Sequence, residues 1–170
     1  MGRRDDQSFA DFVTARGTAL LRTASLLCGA HQDAEDILQS ALEKAYRHWG
    51  RLDPESDPEP YVRRILVNLV ISRSRRWKVL REINMARPPE RPASTSATHT
   101  VELRGTLMEE LRKLGPRQRA VLVLRFWEDL SEAETARVLG CSVGTVKSQA
   151  SRGLARLRER LDSNLAPLGR

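Results

Sequence analysis

The sequence predicts an all-α chain: two small helical domains joined by a flexible linker, the C-terminal one a helix-turn-helix domain. Three observations carry this reading. Apolar side chains recur at a 3.6-residue period along most of the chain, and no segment forms a convincing strand ladder. MARPPERPASTSATHT, residues 85–100, holds three of the eight prolines and almost no large apolar side chain, so it reads as a linker between residues 1–84 and 101–170. Near the C-terminus a short helical stretch and a long basic one are separated only by the turn GCS.

The first helix is expected from about Phe9 to Cys28, with Phe9, Phe12, Val13, Leu20, Ala24 and Leu27 inward and Gly29 at the left-handed position that ends it. A second runs from near Asp33 to about Trp49. Its packed stripe is Ala34, Ile37, Leu38, Ala41, Ala45 and Trp49, which leaves Asp36, Gln39 and Glu43 as a mostly acidic outer ridge. GRLDPESDPEP, residues 50–60, carries three prolines and is expected to be a loop. It delivers the chain into YVRRILVNLVISRSRR, where Val62, Ile65, Leu66, Leu69 and Val70 form one apolar stripe. Arg64, Asn68, Ile71 and Arg75 lie on the opposite side. A neutral amide and an isoleucine among arginines suit an exposed base better than a phosphate.

The C-terminal domain opens with a helix from about Val101 to Leu114, closed by Gly115. Pro116 fits the first turn of the next helix, where its missing N–H goes unused. Ser131 and Glu134 form an S-x-x-E capping box that starts EAETARVLG; Gly140 ends that helix and Ser142 caps a last one from Val143 to about Leu161. On the last helix Val143, Val146, Ala150, Leu154, Leu157 and Leu161 are expected inward. Thr145, Ser148, Gln149, Arg152 and Arg156 then face out. In a recognition helix Thr145, Ser148, Gln149 and Arg152 reach base edges while Lys147 and Arg156 sit nearer phosphates.

The net charge of +7 is unevenly spread. Residues 1–62 hold 7 basic and 11 acidic side chains, residues 63–87 hold 8 and 1, and residues 88–170 hold 14 and 10. A basic block after an acidic one points to one surface for a polyanion and another for a basic protein. Only Lys44, Lys78, Lys113 and Lys147 among the 29 basic residues are lysine. Arginine suits planar contacts to phosphate and base edges, and a GC-rich genome explains the same bias.

Cys28 and Cys141 lie far apart in no metal-binding pattern, and His31, His48 and His99 are isolated. With no glycine-rich phosphate loop and no nucleophile–base grouping, the expectation is a non-enzyme without metal or cofactor. AVLVL at 120–124 is the longest aliphatic run, too short to span a bilayer, and MGRRDDQSF lacks a secretory apolar stretch. A soluble, cytoplasmic protein is expected.

Taken together, DAEDILQSALEKAYRHW and YVRRILVNLVISRSRR resemble the second conserved region of bacterial RNA polymerase sigma factors of the extracytoplasmic-function type. LGPRQRAVLVLRFWEDLSEAETARVLGCSVGTVKSQASRGLARLRERL resembles their fourth region. The pattern is nearest to actinobacterial members. The resemblance implies core RNA polymerase as partner, through the clamp helices of its largest subunit and its flap region, with Asp36, Gln39 and Glu43 on the clamp contact. It implies promoter DNA, double-stranded and melted, and leaves open an anti-sigma protein. Asn68 matches an asparagine that holds the minus-ten strand; Arg63, Arg64 and Arg75 are candidate contacts to the downstream element on their charge, and Ile71 joins them on the helical wheel alone. The last helix becomes the reader of the minus-thirty-five element. Tyr61 stands where the family often has tryptophan, and the 50–60 loop is richer in acid than a DNA-contacting loop. The alternative is a stand-alone helix-turn-helix transcriptional regulator.

Overall fold

The computed structural model describes residues 5–29, 31–84 and 99–165. Its elements are α1 (Asp6–Cys28), α2 (His31–Trp49), α3 (Glu59–Asn84), α4 (His99–Lys113), α5 (Pro116–Leu122) with a π-helical turn (Val123–Trp127) running on from it, α6 (Glu132–Leu139) and α7 (Val143–Leu165). No strand occurs among the described residues. Of the expected linker, residues 85–98 lie outside the described residues, and His99 and Thr100 belong to α4.

In α1, Asp5 accepts from the Ser8 amide at 2.8 Å while the Asp5 amide donates to Ser8 Oγ at 3.2 Å. This reciprocal cap satisfies two end amides and starts the helix three residues ahead of Phe9. Gly29, at φ 76°, ends it as expected. α3 starts earlier than the proline count suggests. Pro60 sits in the first turn, where a proline removes no helical hydrogen bond, and Asp57 Oδ1 accepts from the Glu59 amide at 2.9 Å.

α1, α2 and α3 enclose Phe12, Leu20, Ala45, Trp49 and Val62. Trp49 is 2 % exposed, meets Phe9 edge-on at 5.0 Å and donates its indole N–H to Ser8 Oγ at 2.9 Å. Its apolar bulk is therefore buried with its polar atom satisfied. In the C-terminal domain, Leu111, Leu114 and Leu122 join α4 to α5, with Leu154 and Leu157 of α7 against them. Val121, Ala136 and Val146 hold α5, α6 and α7 together. Gly153 lets α7 approach closely, since a Cβ there would lie 3.2 Å from a Leu122 methyl.

The two domains share a core. Ala24, Leu27, Leu66, Val67 and Val70 from α1 and α3 form one cluster with Ala120, Val123, Leu124 and Val138. This shifts the buried stripe of α3. Ile65 and Leu69 are only partly buried, while Arg63 and Val67 are buried in their place. A helix covered from one side needs one stripe; α3 is covered from two, and Arg63 and Val67 fall on the second.

Candidate nucleic-acid interface

The turn before α7 is built as its residues dictate. Ser131 Oγ accepts from the Glu134 amide at 3.1 Å, and Glu134 Oε2 accepts from the Ser131 amide at 2.8 Å. Those bonds from Ser131 hold the Glu134 carboxyl below the usual glutamate range. Gly140, at φ 62° and ψ 42°, reverses the chain, and the Cys141 amide donates to Ala136 O at 3.0 Å. Ser142 Oγ accepts from the Thr145 amide at 3.1 Å, and its hydroxyl pairs with that of Thr145 at 2.9 Å. The three-residue turn is thus closed by a backbone bond at the end of α6 and by the Ser142 side chain at the start of α7, with Val146 fully buried beneath.

On α7, Thr145, Lys147, Arg152 and Arg156 are exposed, and Ser148 and Gln149 are half-buried. Ser148 Oγ donates back to Thr145 O at 3.0 Å, and Arg156 donates to Gln118 Oε1 at 3.1 Å. Lys147 lies 3.7 Å from Glu132 across the turn. Val143, expected inward, is 39 % exposed at the first position of α7. Ala150, Leu154, Leu157 and Leu161 are partly buried.

On α3, Arg64, Asn68 and Arg75 are exposed and Ile71 is half-buried, four positions at i, i+4, i+7 and i+11 along one side. Arg63 does not share that face. Its side chain is 10 % exposed and its guanidinium lies 2.6 Å from Glu59 and 2.8 Å from Glu128. In this arrangement it is committed to carboxylates and unavailable to phosphate, which corrects its expected place among the strand contacts. Arg73 is paired with Asp33 at 3.1 Å, while Arg76 is exposed. On α2, Asp36, Gln39 and Glu43 are all exposed, and Gln39 donates to Glu43 Oε1 at 3.3 Å.

The structure brings the α3 and α7 faces together, which sequence reading could not anticipate. Ile71, Arg75 and Lys78 of α3 line one groove of about 400 Å³ with Arg117 of α5 and Gln149 and Arg156 of α7. Four cations border it, so its field favours a polyanion. Burial pushes the Cys28 thiol up to about 11, with the Asp33 carboxylate adding to the shift; such a thiol stays protonated and chemically quiet. Among the described residues, no group of three or more His, Cys, Asp or Glu side chains is placed to hold a metal ion. No described helix is long and apolar enough to cross a membrane.

Comparison with known proteins gives these faces a context. Residues 12–78 match the family model of Sigma-70 region 2, and residues 104–157 match that of Sigma-70, region 4. The chain is 42 % identical over 155 residues to the RNA polymerase sigma-E factor of Streptomyces coelicolor, covering 90 % of this chain and 85 % of that protein. It is 29 % identical over 169 residues to the ECF RNA polymerase sigma factor SigW of Bacillus subtilis, covering 92 % and 90 %. Among solved structures it resembles the sigma factor RpoE of Bartonella quintana in complex with the anti-sigma factor NepR. There the TM-score is 0.77 at 27 % identity, covering 92 % of this chain and 98 % of that one. A stand-alone regulator accounts for the region 4 match only. The chain belongs to the sigma-70 family of RNA polymerase sigma factors, in its extracytoplasmic-function type, the factors that bind core polymerase and direct it to promoters.

Proposed function

We propose that residues 1–84 bind the polymerase clamp helices and capture the melted minus-ten element, that 85–100 link the domains, and that 101–170 read the minus-thirty-five element as duplex. Asp36, Gln39 and Glu43 form the clamp contact. Single exposed ion pairs contribute only about 0–1 kcal/mol each, so this ridge works as one part of a broad surface that includes apolar area.

The observation that carries the strand-capture reading is the composition of one row on α3. Arg64 and Arg75 flank Asn68 and Ile71, so cations for phosphate bracket an amide and an apolar surface for a base. Extracting a base from the stack costs a few kcal/mol, which contacts to the single strand offset. Asn68→Ala should weaken promoter opening, read by permanganate reactivity of unpaired thymines, while leaving polymerase binding unchanged. Unchanged opening would remove Asn68 from the role.

On α7, Thr145, Ser148, Gln149 and Arg152 read base edges, with Lys147 and Arg156 on phosphates. The chain catalyses nothing itself and works in the cytoplasm, supplying recognition and strand opening to the polymerase through the clamp and flap. An anti-sigma protein is a further partner, a reading supported by the complex in which the RpoE relative was solved.

A further inference from the structure

We infer that the groove between α3, α5 and α7 binds a small polyphosphate, a molecule carrying two or three adjacent phosphates such as a nucleoside di- or triphosphate. Two of its four cations, Lys78 and Arg117, have no part in the promoter reading, so the inference can fail or hold apart from that reading.

Charge is the first argument. Arg75 and Lys78 of α3, Arg117 of α5 and Arg156 of α7 border one space, and no carboxylate is among the described residues that line it. Elsewhere the chain answers its clustered arginines with acids: Arg16 and Arg63 flank Glu59, and Arg73 pairs with Asp33. At the groove, Arg75, Lys78 and Arg117 make no ion pair or hydrogen bond among the described residues, and Arg156 donates only to the neutral Gln118, at 3.1 Å. Like charges gathered without a counter-charge repel one another, and a bound anion relieves that repulsion. A phosphate monoester carries about 1.5–2 negative charges. Four cations therefore match a short chain of phosphates better than a single one.

Size and polarity narrow the class further. The groove encloses about 400 Å³, and small-molecule sites span about 300–1,000 Å³. Its wall is not charge alone. Ile71 supplies an apolar patch, Ser74 a hydroxyl, and Gln149 an amide whose Oε1 is buried with no hydrogen-bond partner. A buried acceptor left unpaired is costly. Turning that amide toward the groove offers it to a ligand hydroxyl or amine, and Oε1 gives up no bond within the chain. Cations for phosphates, an amide for a polar edge and an apolar patch for a flat ring are the groups that a nucleotide engages. Because the cations come from helices of both domains, a bound ligand ties α3 to α5 and α7 and stabilises the folded chain in proportion to its occupancy.

The test uses the full chain. Isothermal titration calorimetry, at fixed ionic strength and without divalent metal, measures binding of inorganic pyrophosphate, inorganic triphosphate, ATP and AMP. Triphosphate and ATP should bind one per chain, about tenfold or more tighter than AMP, and raise the melting temperature. Lys78→Ala and Arg117→Ala should each weaken that binding by about tenfold, the loss of one charge-assisted hydrogen bond. Arg47→Ala, which removes the same charge from the exposed side of α2, should leave it unchanged. In NMR spectra, triphosphate should shift the side-chain amide signals of Gln118 and Gln149. ATP binding tighter than triphosphate, with Ile71→Ala erasing the difference, would identify a nucleoside as part of the ligand; equal affinities would identify the phosphate chain alone. No saturable binding of triphosphate or ATP, or an equal loss in Arg47→Ala, or unmoved Gln118 and Gln149 signals, would overturn the site.

Discussion

Two glycines with nearly the same backbone conformation give a sharp test of how the domains pack. Gly29 has φ 76° and Gly140 has φ 62°. Alanine in this left-handed region costs about 1–2 kcal/mol wherever it occurs. At Gly140 an added Cβ meets nothing within 4 Å, so that conformational cost is the whole effect. At Gly29 the Cβ lands 2.4 Å from Cγ and 3.0 Å from Cδ of Arg112, a residue of α4 in the other domain. Arg112 cannot simply back away, because its carbonyl accepts from Arg119 at 3.2 Å and Arg119 is buried. Its side chain must rotate, adding roughly 1 kcal/mol at the low end of overpacking costs. Gly29→Ala should therefore cost about 2–3 kcal/mol and Gly140→Ala about 1–2 kcal/mol in urea unfolding analysed by linear extrapolation. Equal losses would mean that Arg112 does not stand over Gly29 in solution, and the shared core would be refuted.

The remaining predictions concern local chemistry. Ser131→Ala should cost about 1 kcal/mol of stability by uncapping α6. In the wild type the Glu134 carboxyl should titrate, by NMR, below the ordinary glutamate range, so its contribution is present above the unfolded pKa and lost as pH falls through the depressed folded value. In Ser131→Ala that titration should return toward the ordinary value. Arg152→Ala should relax upstream-element specificity by about 1–3 kcal/mol if the side chain grips a base in two places; a loss uniform across sequences would reassign it to phosphate. Cys28, with its thiol raised to about 11, should resist iodoacetamide at pH 8 in the folded chain and react on unfolding. Prompt labelling of Cys28 in the native state would contradict its burial.

Local signals were legible in the sequence wherever one residue type meets one backbone demand. Gly29 and Gly140 take up left-handed φ, and Ser131 with Glu134 and Ser142 with Thr145 make the bonds their spacing implies. The buried stripe of α2 is the expected one, with only Leu38 partly exposed. What escaped was set by contacts between distant segments. A helical wheel assumes one buried side, so it passed over Val67, and Arg63 was expected among the strand contacts on its charge alone. Both are covered because the C-terminal domain packs there. The π-helical turn at Val123–Trp127 has no composition of its own, and Glu128 reads as one more surface acid until Arg63 and Thr23 are seen around it. The outer row of α3 was legible in part: Arg64, Asn68, Ile71 and Arg75 do share a side, but its meeting with α7 across one groove depends on closure of the domains.

The central claim is that one face of α3 and the start of α7 read two promoter elements for a polymerase bound elsewhere on the chain. Its most direct measurement is transcription from fragmented genomic DNA by core RNA polymerase with and without the full chain, with the 5′ ends of all transcripts mapped. The account predicts new start sites sharing two sequence elements about 25 base pairs apart, with Asn68→Ala reducing output from those sites and Arg152→Ala blurring the upstream element. No new start sites, together with symmetric operator binding by the chain alone, would contradict it.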